Sequence, residues 1–140
     1  IVITVSPIRY AKYGFHGSQL SKATLLMAAD AMCRKFSNVY YFPAYEIVVD
    51  ELRDYRFYQP DMIHPSAQTV EYIWERLTET YFSNRALQFL HDWKPIKDAF
   101  GHRPFQPESE DYKAFIAQTK EREQKILNDY KPYKSTRAQS

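Results

Sequence analysis

Apolar residues recur along this chain at changing periods, and each change marks an element. Ile1-Val2-Ile3-Thr4-Val5 is β-branched throughout. A continuous run of that kind predicts a strand buried on both faces, as in a parallel sheet covered by helices. Ser6-Pro7 ends it, and residues 10–18 read as a loop carrying Gly14 and Gly17. Ser18 is placed to cap a helix over about 19–35. Leu20, Ala23, Met27 and Ala31 share one face of that helix, and Leu25, Leu26, Met32 and Phe36 widen the apolar area. The pattern predicts a substantially buried helix, with Cys33 packed as a small apolar group. Residues 38–42 form the next β-type run, ended by Pro43. Strand, helix, strand at this spacing is a βαβ crossover, a right-handed connection.

Further along, Tyr45, Val48, Val49 and Leu52 recur at helical spacing and predict a helix over 44–52. Residues 53–58 alternate charged and aromatic side chains. Such a run can offer a stacking surface to a sugar or base, or pack around a neighbouring loop. Ser66 then caps a helix to about residue 82, with Val70, Ile73, Trp74, Leu77 and Tyr81 on one stripe and Glu71, Glu75, Arg76 and Glu79 largely opposite. Another helix follows over about 84–100, interrupted or kinked at Pro95. Residues 103–107 read as an extended linker, 108–128 as a charged helix, and the remainder as a polar, fraying tail in which Lys131, Lys134 and Arg137 are too few to argue for binding.

Composition narrows the classes. The 140 residues are enough for one domain; they are 44% apolar and 16% aromatic, a globular composition. With 19 basic and 17 acidic residues there is no electrostatic case for nucleic acid or an anionic membrane. No apolar run reaches membrane-spanning length. A lone cysteine precludes an internal disulfide and fits the cytoplasm. No zinc, EF-hand or phosphate-loop signature is present, so neither cofactor nor metal is expected.

The candidate chemistry lies in Pro60-Asp61-Met62-Ile63-His64-Pro65. The prolines hold the residues before them out of helical geometry, which predicts a short turn. Within it the Asp61 carboxylate can accept from Nδ1 of His64 and leave Nε2 as a proton acceptor, the base-and-orienter half of a nucleophilic triad. A solvated aspartate beside a packed histidine is the plainer alternative. Metal binding here needs a further ligand, and none stands at useful spacing. Ligands in open α/β sheets bind beyond the carboxyl ends of strands, which brings Ser6 and Arg9 into consideration as substrate-binding residues. His16, in the glycine-containing loop, is a third candidate.

Several blocks carry a family resemblance. They are Thr4-Val5-Ser6-Pro7-Ile8-Arg9, Gln19-Leu20-Ser21-Lys22-Ala23-Thr24-Leu25-Leu26, residues 41–58 beginning Tyr41-Phe42-Pro43-Ala44-Tyr45-Glu46, Asp61-Met62-Ile63-His64-Pro65-Ser66, and Gly101-His102-Arg103-Pro104-Phe105. Together they resemble the GSCFA family, a branch of the SGNH (GDSL-like) hydrolases. The resemblance implies that Asp61 and His64 are two members of a catalytic triad. The Gly-Ser-Cys-Phe-Ala run, which should carry the serine, does not occur in this chain.

The resemblance, with only two strands in view, implies an α/β fold: the C-terminal part of an SGNH-like three-layer α/β/α sandwich with a parallel sheet, followed by extra helices. Residues 1–100 would form that part of the hydrolase domain, and 101–140 a linker, charged helix and polar tail. The serine would lie upstream, in the N-terminal part of the same domain, which thereby becomes the chain's partner. The implied activity is ester hydrolysis on a small-molecule or carbohydrate substrate, without nucleic acid or membrane. A non-catalytic binding or structural module that keeps the fold is the competing expectation.

Overall fold

The computed structural model describes residues 1–131, so the tail positions Lys134 and Arg137 lie outside the described residues. The chain divides into two compact units, Ile1–Tyr81 and Phe82–Ser140.

In the first unit, strands β1 (Val2–Thr4) and β2 (Tyr40–Phe42) pair in parallel, with Val2 opposite Tyr40, Ile3 opposite Tyr41 and Thr4 opposite Phe42. Helix α1 (Gly14–Lys35) connects them. Past Pro43 the chain makes one helical turn, α2 (Ala44–Glu46), which widens into a π-helix over Ile47–Leu52. Arg53 ends it in the left-handed region at φ 51°. A 3₁₀ turn at Tyr55–Phe57 leads into the Asp61–His64 loop, and α3 (Ala67–Tyr81) closes the unit. Phe42, Ala44 and Ile47 form the buried centre, with Leu52, Tyr72, Ile73 and Leu77 packed against it.

The three-layer α/β/α sandwich is not what forms. The described chain is mostly helical, and its sheet has two strands of three residues each. The β-branched run does set an extended backbone, as its steric preferences require. It is not buried on both faces: Val2 remains 46% exposed and Thr4 is exposed, while Val5, just past the strand, is buried. β-branching reports strand propensity; burial on both faces needs covering layers that two short strands and their helices do not provide.

Helix α1 departs from expectation in a similar way. It begins at Gly14, so Ser18 lies inside it; the Ser18 hydroxyl is buried and accepts from the Tyr10 N–H at 3.2 Å. The packed face is Ser18, Lys22 and Ala29, with Leu26 and Cys33 half-buried between and beyond. These positions recur at helical spacing. The more hydrophobic stripe faces outward, with Leu20 56% and Met27 75% exposed.

Ser66 caps α3 as expected, accepting from the Thr69 N–H at 3.3 Å. Thr69 is fully buried, and its hydroxyl donates to the Phe57 carbonyl at 2.5 Å. The same carbonyl accepts from the Ser66 N–H at 2.8 Å. The first turn of α3 is thereby tied to the start of the Asp61–His64 loop.

The second unit pairs α4 (Asn84–Gly101) with α5 (Glu110–Asp129). Ser83 and Ser109 cap them, accepting from the N–H groups of Ala86 and Tyr112, each at 3.3 Å. Helix α4 runs on through Pro95 without a break. Ile96 and Thr119 are buried, and Phe89 stacks on Trp93 at 5.6 Å while meeting Tyr130 edge-on at 5.2 Å. Among the described residues, no helix is long and apolar enough to cross a membrane.

The double anchorage at the Phe57 carbonyl sets the expected cost of losing one half of it. Thr69→Val keeps the side-chain shape but removes the hydroxyl, while the Ser66 N–H still satisfies the carbonyl. The Thr69 oxygen also accepts from the Ser66 hydroxyl at 3.0 Å, so the loss should be that of one to two net hydrogen bonds, about 0.5–3 kcal/mol, by denaturant unfolding. Destabilisation beyond about 3 kcal/mol would mean that the carbonyl is left bare.

Candidate functional site

The Asp61–His64 loop is closed at its base before any side chain is considered. Tyr58 and Pro65 form an antiparallel bridge, and the Gln59 N–H donates to the His64 carbonyl at 2.8 Å. Met62 turns the chain at φ 60°, a left-handed conformation uncommon outside glycine. Its N–H donates to the Gln59 carbonyl at 2.8 Å.

Asp61 organises the interior of this turn. Its Oδ1 accepts from the backbone N–H groups of Ile63 and His64, at 2.9 and 3.0 Å. Its Oδ2 lies 2.6 Å from His64 Nδ1. The carboxylate is held well below its usual range, to about 2, by the hydrogen bond to His64 first and by the two backbone N–H groups next. An ionised carboxylate only accepts, so Nδ1 carries the proton and Nε2 of the neutral ring is a proton acceptor. Both side chains remain accessible, His64 at 53% and Asp61 at 41%.

Arg9 clamps the loop to the end of β1. Its backbone N–H donates to the Ile63 carbonyl at 3.0 Å, and its guanidinium donates to the Met62 carbonyl at 2.7 Å. The guanidinium carbon also lies over the rings of Phe15, Tyr55 and Tyr58, at 4.6, 5.3 and 5.8 Å from their centroids. Cations are attracted to aromatic faces at these distances. Tyr58 adds a further link, donating through its hydroxyl to the Pro7 carbonyl at 3.3 Å, and burial raises its pKa.

The sequence candidates therefore separate. Asp61 and His64 are brought together as a hydrogen-bonded pair. Arg9 is beside them, but as the group that holds their loop. The Ser6 hydroxyl accepts from the Ile8 N–H at 3.3 Å and its carbonyl accepts from the Lys22 ammonium, so both serve the turn after β1. His16 is exposed in the first turn of α1, with no hydrogen bond to the pair. Residues 53–58 pack around the loop: Asp54 caps the 3₁₀ turn through the Arg56 N–H, and Tyr55 and Tyr58 face Arg9. Lys22 and Thr69 were not foreseen as parts of this region, whereas Tyr58 belongs to the run that the sequence allowed to pack around the loop. Lys22 alone left a trace, as a cation spaced with Ser18, Leu26 and Ala29 on one helical face.

Comparison with family models gives two matches. The GSCFA family matches residues 1–77, and the GSCFA domain protein, C-terminal domain, matches residues 93–134. The chain belongs to the GSCFA family. Its Asp61–His64 loop lies inside the first match, and α5 inside the second. Neither the curated proteins nor the solved structures compared gave a match.

The low Asp61 pKa gives a pH signature. Its value falls from an ordinary 3.8 to about 2 on folding. The stability it contributes is therefore fully present above pH about 4 and is lost as the pH drops through about 2. The Asp61 side-chain carbon, followed by NMR, should titrate near that lower value. Asp61→Asn should retain the turn, since an amide oxygen can still accept both N–H groups. Its NH₂ would then face Nδ1 and move the ring proton to Nε2, a tautomer change read by nitrogen chemical shifts. An unchanged tautomer in Asp61→Asn would show that the carboxylate does not set it.

Proposed function

We propose that this GSCFA chain supplies the base and its orienting carboxylate to a serine ester hydrolase, with the serine carried by a segment outside this chain. The observation that carries the proposal is the 2.6 Å Asp61–His64 contact on Nδ1, with the ring half-exposed. His64 Nε2 takes the serine proton as the hydroxyl attacks an ester carbonyl, and returns it to the leaving alcohol. Asp61 keeps the ring in the required tautomer and stabilises the imidazolium while it exists. The substrate class is an acyl or acetyl ester of a carbohydrate or small molecule, the chemistry known for SGNH hydrolases as a group.

A second reading, a binding or structural module that keeps the pair without using it, draws on one observation. Among the described residues, no serine or threonine hydroxyl is hydrogen-bonded to His64. The two readings part in the full-length protein. A fluorophosphonate should label one serine there, and His64→Ala should lower both the labelling rate and ester turnover by about 10²–10⁴-fold, the loss of a proton-transfer group. The ring stands on an exposed turn, so the unfolding midpoint should barely change. His91→Ala and His102→Ala should leave turnover at the native level. Full ester hydrolysis by His64→Ala would remove His64 as the base, and a protein that neither labels nor hydrolyses would favour the binding module.

A further inference from the structure

A cavity of about 260 Å³ opens in the first unit, with Arg9, Lys22, Arg53, Tyr45, Tyr55 and Tyr58 in its lining. Lys22 is its unusual member. This residue is only 7% exposed, on the packed face of α1. The ammonium donates to the Ser6 carbonyl and lies 5.7 Å from the centre of the Tyr45 ring.

The charge around the cavity is unbalanced. None of the ion pairs among the described residues includes Lys22, Arg9 or Arg53. The lining does contain a carboxylate, Asp54, but Asp54 accepts from the Arg56 N–H at 2.8 Å and lies 3.8 Å from the Arg56 guanidinium. A buried cation without a counter-ion is costly, and burial duly lowers the Lys22 pKa. An incoming anion would offset that cost, accepting from ammonium protons that the single Ser6 carbonyl does not use. The volume lies below the roughly 300–1,000 Å³ of sites for drug-sized ligands, which suits a small molecule or one end of a larger one. Three tyrosines give flat, partly apolar walls beside the cations.

We propose that this cavity binds the oxyanion of a small molecule, a phosphate or a carboxylate, with Lys22 as the buried anchor and Arg53 as a second cation at the wall. Arg9 contributes positive potential while its guanidinium holds the Met62 carbonyl. The site stands apart from ester hydrolysis: neither Asp61 nor His64 lines the cavity, and binding can be read without turnover.

The test is a calorimetric titration of the full-length protein with inorganic phosphate, glucose 6-phosphate, glucuronate and glucose. Saturable binding of phosphate or of a sugar bearing an anion is expected, weakening as salt is raised, with none for glucose. Phosphate and glucuronate separate the two oxyanions. Lys22→Met, which keeps the length and apolar stem, should weaken the bound anion by about tenfold or more, the scale of one charge-assisted hydrogen bond. Arg53→Asn is a second variant at an exposed position, and asparagine tolerates the left-handed backbone found there. It should weaken binding severalfold and keeps the test decisive if Lys22→Met does not fold. Absence of saturable anion binding, glucose binding as tight as that of the anions, or folded variants that bind like the native protein would each overturn the proposal.

Discussion

The Asp61 carboxylate is the constraint on which the candidate site depends. One oxygen accepts two backbone N–H groups and so shapes the turn; the other accepts the imidazole and so aims it. Turn and ring are consequently set by one side chain: the oxygen that accepts the backbone shapes the turn, and the ionised second oxygen fixes the ring's tautomer. Water screens a pair this exposed, so its contribution to global stability is small. What it contributes is preorganisation: a ring whose proton and direction are fixed before any reacting group arrives. The left-handed Met62 backbone is tolerated because the turn is determined from several sides: the Asp61 carboxylate and the Gln59 carbonyl accept from its N–H groups, and Arg9 donates to its carbonyls.

Around that turn, hydrogen bonds fix the backbone beside a small apolar centre. That centre is built from Phe42, Ala44 and Ile47. The loop lies at the margin of this small core, fixed at the Phe57, Met62 and Ile63 carbonyls by Thr69, Ser66 and Arg9. Such an arrangement positions a half-exposed group accurately without burying it, which suits an imidazole that must meet another molecule. Thr69 shows the logic in a single residue. Its side chain is fully buried, yet its hydroxyl is spent on the backbone that leads into the site.

The second unit has a different basis. Serine caps start both of its helices, and Phe89, Trp93 and Tyr130 supply an aromatic cluster near one end. Asp92 accepts from the Tyr130 hydroxyl at 2.9 Å, tying the end of α5 to α4. The two family matches fall one in each unit, so the division in space has a counterpart in the sequence relationships.

What the sequence determined alone is what short-range chemistry dictates. The parallel strands, the capped helix α3 and the Asp61–His64 pair were legible because i, i+3 spacing, proline restriction and serine capping act within a few residues. Burial was decided only by the tertiary structure. The chain does not say by itself how many layers will cover a β-branched run, and the strand expected to be enclosed keeps Val2 46% exposed. Nor does a helical wheel say which of two faces meets a neighbour. In α1 the face with Ser18 and Lys22 turned inward because Tyr10 and Ser6 offer hydrogen-bonding partners there, while Leu20 and Met27 stayed outside. The hold that Arg9 has on the loop was illegible for the same physical reason. Its partners, the Met62 and Ile63 carbonyls, lie more than fifty positions away in the chain, and only folding brings them within hydrogen-bonding reach.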